Sequence, residues 1–453
     1  MREITLHDTL TGELRVLQPR EPGKAGIYAC GPTVYGRIHV GNARPFVVFS
    51  LLKRFLEHEG YEVTLVINIT DINDKIYAAA SAASTGSVQL AREMTGHYLA
   101  DTARLALGRP DHEPLASDSV PGIMALIERL IERGHAYVSG GDVYFAVSSY
   151  QHYGELSHRR TEDLDQGDGN DGAGLKRDPL DFALWKAQKP GEDTSWDAPW
   201  GRGRPGWHIE CSAMAEHLLG LDFEVHGGGS DLTFPHHENE AAQSRAASGI
   251  PLARNWVHNG MVRLRSDKMS KSLGNTLLLH EALDRYGRDT LLVYFCSGHY
   301  RQPVEFDEQR LAAAAASAER LREAGRKLHP GASPPFSAPL REEFFAALAA
   351  DFNVPRALAA VFEWVREANR SAHACGDADL REMLAVLALE NLLDAEAEPA
   401  SDQARQLMQE RETARAQRDW SQADALRDQL AQLGFEVRDG ASGPELRMIR
   451  ERP

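Results

Sequence analysis

The stretch Gly26-Ile-Tyr-Ala-Cys30, continued through Gly31-Pro-Thr-Val-Tyr-Gly-Arg-Ile-His39-Val-Gly-Asn42 to Tyr61-Glu-Val-Thr-Leu-Val-Ile-Asn-Ile69, decides the fold. Its first five residues are mostly apolar and stop at a Gly-Pro turn, which reads as a short buried strand. Apolar residues then recur at helical spacing from near His39 through Phe46, Phe49, Leu52 and Phe55, and Gly60 ends that helix. The β-branched density of residues 61–69 marks a second core strand. Strand, helix and strand within about 45 residues form a βαβ unit, so the sheet is expected to be parallel. The fold class is therefore α/β, a Rossmann-like doubly wound parallel sheet.

The pattern changes outward from about Pro121. A helical run at 123–133 leads into short strands around Ala136 and 143–147, and the Gly/Asp-rich residues 165–174 read as a mobile loop. This segment is expected to be an insertion that splits the α/β domain. Parallel-sheet character returns after Trp207, with a strand at 222–226 and a helix at 238–247. Alanine-rich helical sequence follows Leu311, and a Pro-rich linker at 329–339 precedes a helical stretch at 343–393. A second break at 395–402 precedes a tail that reads as helical to Leu433 with a short β-like end.

The chain has 453 residues, 66 acidic and 50 basic, with a net charge of −16. At about 100–200 residues per domain, that length implies two to four domains. No apolar run approaches the ~18 residues of a membrane helix. The first residues carry an acid and a histidine where a signal peptide would carry its apolar core, so a cytoplasmic location is expected. Four cysteines, at 30, 211, 296 and 375, are too few for a disulfide framework and should act as thiols. The acidity excludes nucleic-acid binding driven by bulk charge, so an RNA partner must be met by a local patch.

Three pattern matches mislead. Gly201-Arg-Gly-Arg-Pro-Gly206 fits G-x-G-x-x-G, yet it follows Trp-Asp-Ala-Pro-Trp instead of a strand, and Pro205 is expected to break the helix a pyrophosphate needs. His236-His-Glu-Asn-Glu240 suggests the zinc-protease motif, but position 241 is Ala. Asn68-Ile-Thr70 is a formal glycosylation site inside a core-strand pattern. More telling is the segment 33–42, which sits at a strand-to-helix turn where backbone N–H groups and the helix dipole favour an anion. His39 and Asn42, three apart, put two donors on one face of the first turn, although a capping histidine reads equally well. Asp267-Lys268-Met-Ser-Lys271-Ser-Leu-Gly-Asn275 carries two lysines in a loop suited to closing over a polyphosphate. Composition alone would make it a solvated surface loop.

His39-Val-Gly-Asn42 and Lys268-Met-Ser-Lys-Ser272, taken together, resemble the paired signature motifs of class I aminoacyl-tRNA synthetases. Cys30-Gly-Pro-Thr-Val-Tyr35, Asn68-Ile-Thr-Asp-Ile-Asn-Asp-Lys75, Gly206-Trp-His-Ile-Glu-Cys211-Ser-Ala-Met214 and His226-Gly-Gly-Gly-Ser-Asp-Leu-Thr-Phe-Pro-His-His-Glu-Asn-Glu240 narrow this to the cysteinyl-tRNA synthetase family. The resemblance runs from the first strand to the tail. It departs at Asn42, where the family most often has a second histidine; Asn also donates hydrogen bonds. It departs again at Pro444-Glu-Leu446, where relatives often carry a Trp after Gly-Thr.

The resemblance implies a catalytic domain in two halves, 1–117 and 207–250, around a connective insertion at 118–206. A stem-contact region with the second motif at 251–312, a helical bundle at 313–395 and a small C-terminal anticodon-binding domain at 403–453 would follow. It implies activation of L-cysteine by ATP to cysteinyl-adenylate, and transfer to the terminal ribose of tRNA(Cys), by a monomer. His39, Asn42, Lys268 and Lys271 would be catalytic, and with Thr33, Gly41, Gly228 and Asp231 would hold ATP and its Mg²⁺. A turn at 227–231 would let the adenosine approach closely, with Asp231 accepting from ribose hydroxyls. Cys30, Gly31, Thr70 and Trp207 would surround the cysteine, and Arg411, Arg415, Arg418 and Arg427 would meet the tRNA. Residues 401–453 hold nine arginines against ten acids, far less acidic than the whole, although a solvated helical face is the plainer reading.

The family's single Zn²⁺ would fall on Cys30, Cys211, His236 and Glu240. Spacing says nothing for the two cysteines. His236 and Glu240, four apart on an expected helix, project the same way, though a surface i,i+4 pair is the plainer reading of that spacing. Such a site suits a cysteine substrate, because Zn²⁺ binds and ionises a thiol far more readily than a hydroxyl. Apolar pockets separate near-isosteres by only about 10- to 200-fold, so a metal–sulfur contact can replace an editing domain. Cys296 and Cys375 read as small core residues. The alternative is a cysteine ligase with the same adenylation domain that acts on the amine of an amino sugar; it should lack the tail. A silent tRNA-binding paralogue fits poorly with a full set of ligands and motif residues.

Overall fold

Four parallel strands organise the molecule, in the spatial order Ala253–Asn259, Phe223–Gly229, Lys24–Ala29 and Glu62–Ile67. The structure is a computed structural model and describes residues 2–160, 166, 174–264, 267–268, 277–371, 375–394, 402–416, 419–433, 435–440 and 443–448. The expected βαβ unit is present: Lys24–Ala29 pairs in register with Glu62–Ile67, and the helix Val40–His58 makes the crossover. Because side chains alternate along a strand, each strand feeds two cores. Ile27, Leu65, Val225 and Val257 pack with Phe49 and Phe55 of the helix Val40–His58. Tyr28, Val66 and Trp256 instead join Ile209 and Ala242 of the helices Trp207–Leu219 and Glu238–Ser248. Helices thus cover both faces, as a doubly wound sheet requires. Each fully buried Phe of the crossover helix contributes about 1.5–3 kcal/mol to that packing.

Gly227 shows why the sequence around the third strand is so poor in side chains. A Cβ there would lie 2.1 Å from the Phe49 ring and 2.7 Å from the Val257 carbonyl, so only glycine lets the crossover helix lie on the sheet. Residues 227–229, expected in a turn, are instead the last three of the strand Phe223–Gly229, and the turn begins at Ser230. The glycines make room for protein neighbours, which a reading from glycine's turn preference does not foresee.

The segment between the two halves of the parallel sheet contains the helix Val120–Glu132 and a four-stranded antiparallel sheet, Ala136–Ser139, Asp142–Phe145, Phe182–Ala187 and Gly203–Pro205, in chain order. Its Phe145, Phe182 and Trp185 share one core with Tyr28 and Trp256 of the parallel sheet. The expected loop at 165–174 lies, apart from residues 166 and 174, outside the described residues.

Beyond the parallel sheet, Val262–Leu264 pairs antiparallel with Asp267–Lys268 and parallel with Val304–Glu305. The start of the expected lysine loop is therefore strand, while residues 269–276 lie outside the described residues. The helices Leu279–Tyr286, Arg288–Cys296 and Glu308–Gly325 follow. The next helix is Ser337–Ala349, which starts inside the expected linker, because Pro339 falls in the first turn, where its missing N–H costs nothing. The expected helical stretch is broken into Ser337–Ala349, Val354–Arg370 and Ala378–Val386; Asp351 and Phe352, at φ of 60° and 45°, turn the chain at the first break. The tail is the helices Asp402–Ala416 and Trp420–Gln432 with a hairpin, Phe435–Gly440 and Gly443–Met448, as its pattern foretold. Among the described residues no helix is long and apolar enough to cross a membrane.

Candidate metal centre and active site

The carboxyl ends of the parallel strands are where a doubly wound sheet places its ligands. Cys30 follows the strand Lys24–Ala29 at that edge. Cys211 comes from the helix Trp207–Leu219, His236 from the irregular turn Thr233–His237, and Glu240 from the first turn of the helix Glu238–Ser248. All four are buried, and one donor atom from each lies within 4.8 Å of the others. Cys30 Sγ is 3.5 Å from Glu240 Oε1, and His236 Nε2 is 3.1 Å from the same oxygen. The edges of a tetrahedron with bonds of about 2.0–2.3 Å run about 3.3–3.8 Å, so these gaps are close to a metal shell.

The electrostatics agree. Burial, and then the Cys211 sulfur, push the Cys30 thiol well up. Burial, and then Cys211, raise the Glu240 carboxyl, while burial, and then His208, depress His236. Every shift disfavours the charged form. A divalent cation would reverse that for thiol and carboxylate and would accept the neutral imidazole as it stands. Two sulfurs, one nitrogen and one oxygen suit a borderline-soft ion in tetrahedral geometry, so the residues present fit a metal.

Sequence reasoning missed the histidines around this cluster. His226 Nε2 and His237 Nε2 lie 3.7 and 3.3 Å from Cys30 Sγ, so these two with Cys30 and Glu240 make a second donor set. The two sets share Cys30 and Glu240 and describe one centre. His236 Nδ1 meets His208 Nδ1 at 2.9 Å, and Trp207 stacks on His236 with centroids 4.2 Å apart. His237 Nδ1 meets His258 Nε2, and His258 Nδ1 meets Thr9 Oγ1, each at 2.7 Å. Burial pushes His258 down to about 4. The signal available was the motif 226–240 itself, where His226 precedes the two residues assigned as ligands and His237 stands between them.

Beside the cluster, the chain after Cys30 presses on the strand end at Asn68. A Cβ on Gly31 would sit 1.7 Å from the Asn68 carbonyl, and Gly31 N–H donates to Asn68 Oδ1 at 2.9 Å. Asn68 Nδ2 donates to Thr70 Oγ1, and Thr33 bridges Thr70 through the backbone. Cys30, Gly31, Thr33, Thr70 and Trp207 are therefore brought to one edge of the sheet. Asn68, 1% exposed, is no glycosylation site.

His39 caps the helix Val40–His58: its Nδ1 accepts from Asn42 N–H at 3.2 Å, and Asn42 Oδ1 accepts from His39 N–H at 3.3 Å. The cap uses His39 Nδ1 and Asn42 Oδ1, which are not the atoms a donor role would need. Because Nδ1 accepts, the neutral ring carries its proton on Nε2, and Asn42 keeps its amide N–H groups as donors. A Cβ on Gly41 would come within 2.9 Å of the His39 ring, so Gly41 serves the fold-back of His39. Val40 N–H already donates to the Leu277 carbonyl, so that group of the helix end is not left for an anion. Gly228 is the last residue but one of its strand, and Asp231, two residues past the strand's end at Gly229, is exposed. Lys268 is placed by its backbone pairing with Arg263; Lys271 lies outside the described residues.

Two earlier expectations need correction. Arg411, expected at the RNA surface, is 7% exposed and paired with Glu412 at 2.6 Å, so it faces inward. Arg427 is exposed, Arg415 is half-buried, and Arg418 lies outside the described residues. A helix does begin directly after Gly206, at Trp207, despite Pro205. The glycines at 203 and 206 nevertheless serve strand packing, since a Cβ on either would fall 2.0–2.1 Å from a carbonyl oxygen of the neighbouring strand.

The sheet, its crossover helix and the cluster at its carboxyl edge define a class I aminoacyl-tRNA synthetase. Residues 16–316 match the tRNA synthetases class I (C) catalytic domain, residues 343–394 a DALR domain and residues 398–447 the cysteinyl-tRNA ligase anticodon binding domain. The chain belongs to the cysteine–tRNA ligase family. It is 43% identical over 465 residues to the cysteine–tRNA ligase of Pseudothermotoga lettingae, covering 99% of this chain and 100% of that protein. It is 44% identical over 465 residues to that of Halorhodospira halophila, with the same coverage. Among solved structures, Mycobacterium tuberculosis methionyl-tRNA synthetase in complex with methionyl-adenylate matches at a TM-score of 0.60 and 16% identity, over 82% of this chain and 90% of that one.

Proposed function

We propose that this chain joins L-cysteine to tRNA(Cys) in two steps, at the carboxyl edge of the parallel sheet. The cysteine carboxylate attacks the α-phosphate of ATP, giving cysteinyl-adenylate and pyrophosphate; the acyl group then passes to the terminal ribose of the tRNA. Such phosphoryl transfer needs alignment and charge neutralisation more than a covalent nucleophile. His39 Nε2 and the Asn42 amide hold phosphate oxygens from the start of the crossover helix, and Lys268 and Lys271 neutralise charge on the leaving pyrophosphate, with Mg²⁺ carried by the ATP. Thr33 and Gly41 line the nucleotide side. Gly228 and Asp231, at the end of the third strand, take the adenosine and its ribose. Cys30, Gly31, Thr70 and Trp207 enclose the amino acid, with Trp207 fixed by its stacking on His236.

Cys30, Cys211, His236 and Glu240 are the ligands of one Zn²⁺, which when bound supplies a Lewis acid that ionises a thiol and so favours cysteine over serine. His208, beyond the ligands, accepts the His236 Nδ1 proton and keeps Nε2 turned inward. The observation that carries the proposal is the buried S, S, N, O cluster standing beside the phosphate end of the crossover helix, in a chain of this family.

Cysteine-dependent exchange of pyrophosphate into ATP, followed by cysteinyl-tRNA formation with the cognate tRNA, tests the reaction. Exchange without any charging, accompanied by efficient ligation of cysteine to an amino-sugar acceptor, would overturn it in favour of the other ligase. The tail at residues 398–447, which matches an anticodon-binding domain, supports the tRNA reading.

A further inference from the structure

Arg44 is the one arginine of the crossover helix that points wholly inward, at 1% exposure. Its Nη1 donates to the carbonyls of Gly260 at 2.5 Å and Met261 at 3.3 Å, and its Nη2 to that of His299 at 3.2 Å. Its Nε has no hydrogen-bond partner among the described residues. Burial lowers its pKa to about 10, and among the described residues it forms no ion pair with a carboxylate. A buried cation without a counter-charge is costly, and an apolar side chain would fill the same space at less expense. What a guanidinium offers is a rigid fork of donors that can tie one helix to several backbone segments at once.

Those segments are informative. Gly260 and Met261 join the strand Ala253–Asn259 to Val262–Leu264, the strand whose residues Arg263 and Leu264 pair with Lys268 and Asp267. The Met261 carbonyl that Arg44 holds also accepts from Val304 N–H at 3.0 Å, locking the third strand of that small sheet. On the far side of the second motif, Val40 N–H donates to the Leu277 carbonyl at 3.1 Å and Leu279 N–H to the Ile38 carbonyl at 2.9 Å. The chain entering the lysine motif and the chain leaving it are thus both fastened to residues 38–44, which also carry His39 and Asn42.

We propose that Arg44 is a positioning residue for adenylate formation: it sets the strand bearing Lys268 against the phosphate end of the crossover helix, so that both motifs meet the same polyphosphate. This rests on the assignment of those motifs to ATP made above. The role of Arg44 is exerted through the backbone carbonyls it holds. Its charge, two residues along the helix from Asn42, also adds to the positive potential in which a polyphosphate would sit.

The test is cysteine-dependent ATP–pyrophosphate exchange by Arg44→Lys and Arg44→Met, with rates referred to active sites titrated by the adenylate burst. Arg44→Met should lose about tenfold or more in kcat, with KM for cysteine within about twofold of wild type. Metal content should not change. Arg44→Lys, whose ammonium can reach fewer carbonyls, should recover part of the loss. A purely structural arginine would lower the fraction of active sites and leave kcat per site intact, which would overturn the proposal. Should neither variant fold, hydrogen exchange on the wild type decides. ATP with Mg²⁺ should slow exchange at 262–264 and 277–279 together with 40–42, and protection confined to 40–42 would overturn the proposal. Absence of exchange activity in the wild type would instead sink the cysteine-activation reading itself.

Discussion

Cys30 Sγ and Glu240 Oε1 lie 3.5 Å apart although 210 residues separate them in the chain. The parallel sheet brings one to its edge, and the irregular turn after the third strand brings the other. Both belong to the proposed ligand set, so replacing either should lower metal content. Cys211→Ser is the sharper test because it keeps the shape of the site. Metal content should fall from about one ion per chain, because one of the four proposed donors is a poorer ligand, and discrimination against serine should weaken. Unaltered metal content with unaltered serine rejection would remove Cys211 from the set.

His208 touches His236 through the ring nitrogen that faces away from the cluster. Partners of this kind orient the ligand ring, and losing one typically costs about 10- to 100-fold in metal affinity. His208→Ala should therefore still bind one ion per chain, but yield it to a chelator at correspondingly lower concentration. Competition titration reads this directly, and equal chelator resistance would show that Trp207 stacking alone orients His236.

Gly227→Ala places a methyl group 2.1 Å from the Phe49 ring. Overpacking of this sort costs typically about 1–3 kcal/mol. Part of the loss should return when Phe49→Leu is added, because the smaller side chain opens the space. A denaturation cycle over the two single variants and the double variant gives the coupling; strict additivity would mean that the strain lies at the Val257 carbonyl instead.

Much of this architecture was legible because it is local. Phe46, Phe49, Leu52 and Phe55 spell a helix, residues 61–69 spell a strand, and their alternation implies parallel pairing. The metal cluster was not legible from spacing, since Cys30 and Cys211 meet only through the fold; resemblance supplied what periodicity could not. His226 and His258 were overlooked because a histidine within a strand has no period of its own, and His237 because it sits in an irregular turn. Arg411 looked like an RNA contact because a charge on a helix carries no mark of which face it occupies until the neighbouring helix is placed. The strand at Asp267–Lys268 was read as loop because two residues are too short to show alternation.

Asp289 links the helix Arg288–Cys296 to Glu308–Gly325 and to Asn391. Burial acts to raise its carboxyl, but Asn391, Arg288 and Arg322 outweigh that and hold it below its ordinary value of 3.8. A depressed acid stabilises the fold fully above its unfolded value, and the contribution fades as pH falls through the lower folded value. Asp289→Asn should therefore cost about 1.5–3 kcal/mol near neutrality, as expected for hydrogen bonds to a charged group. The gap to wild type should close in strong acid. Denaturant midpoints measured for both proteins down a pH series check it, and a gap that persists below the folded value would point to packing instead of charge.

Arg427 and Trp420 stand on the outer side of the tail helix Trp420–Gln432, the arginine 3.5 Å from Asp424 and the tryptophan 60% exposed. An arginine this loosely paired can turn to a phosphate or stack on an unpaired base. Adenylate formation needs no tRNA, so the two steps separate the catalytic domain from the tail. Arg427→Ala, alone or with Arg415→Ala, should leave ATP–pyrophosphate exchange untouched and lower kcat/KM for tRNA about tenfold, with a shallower salt dependence if a phosphate contact is lost. A double variant that charges tRNA as well as wild type at every ionic strength would move the RNA contact off this helix and onto the hairpin beyond it.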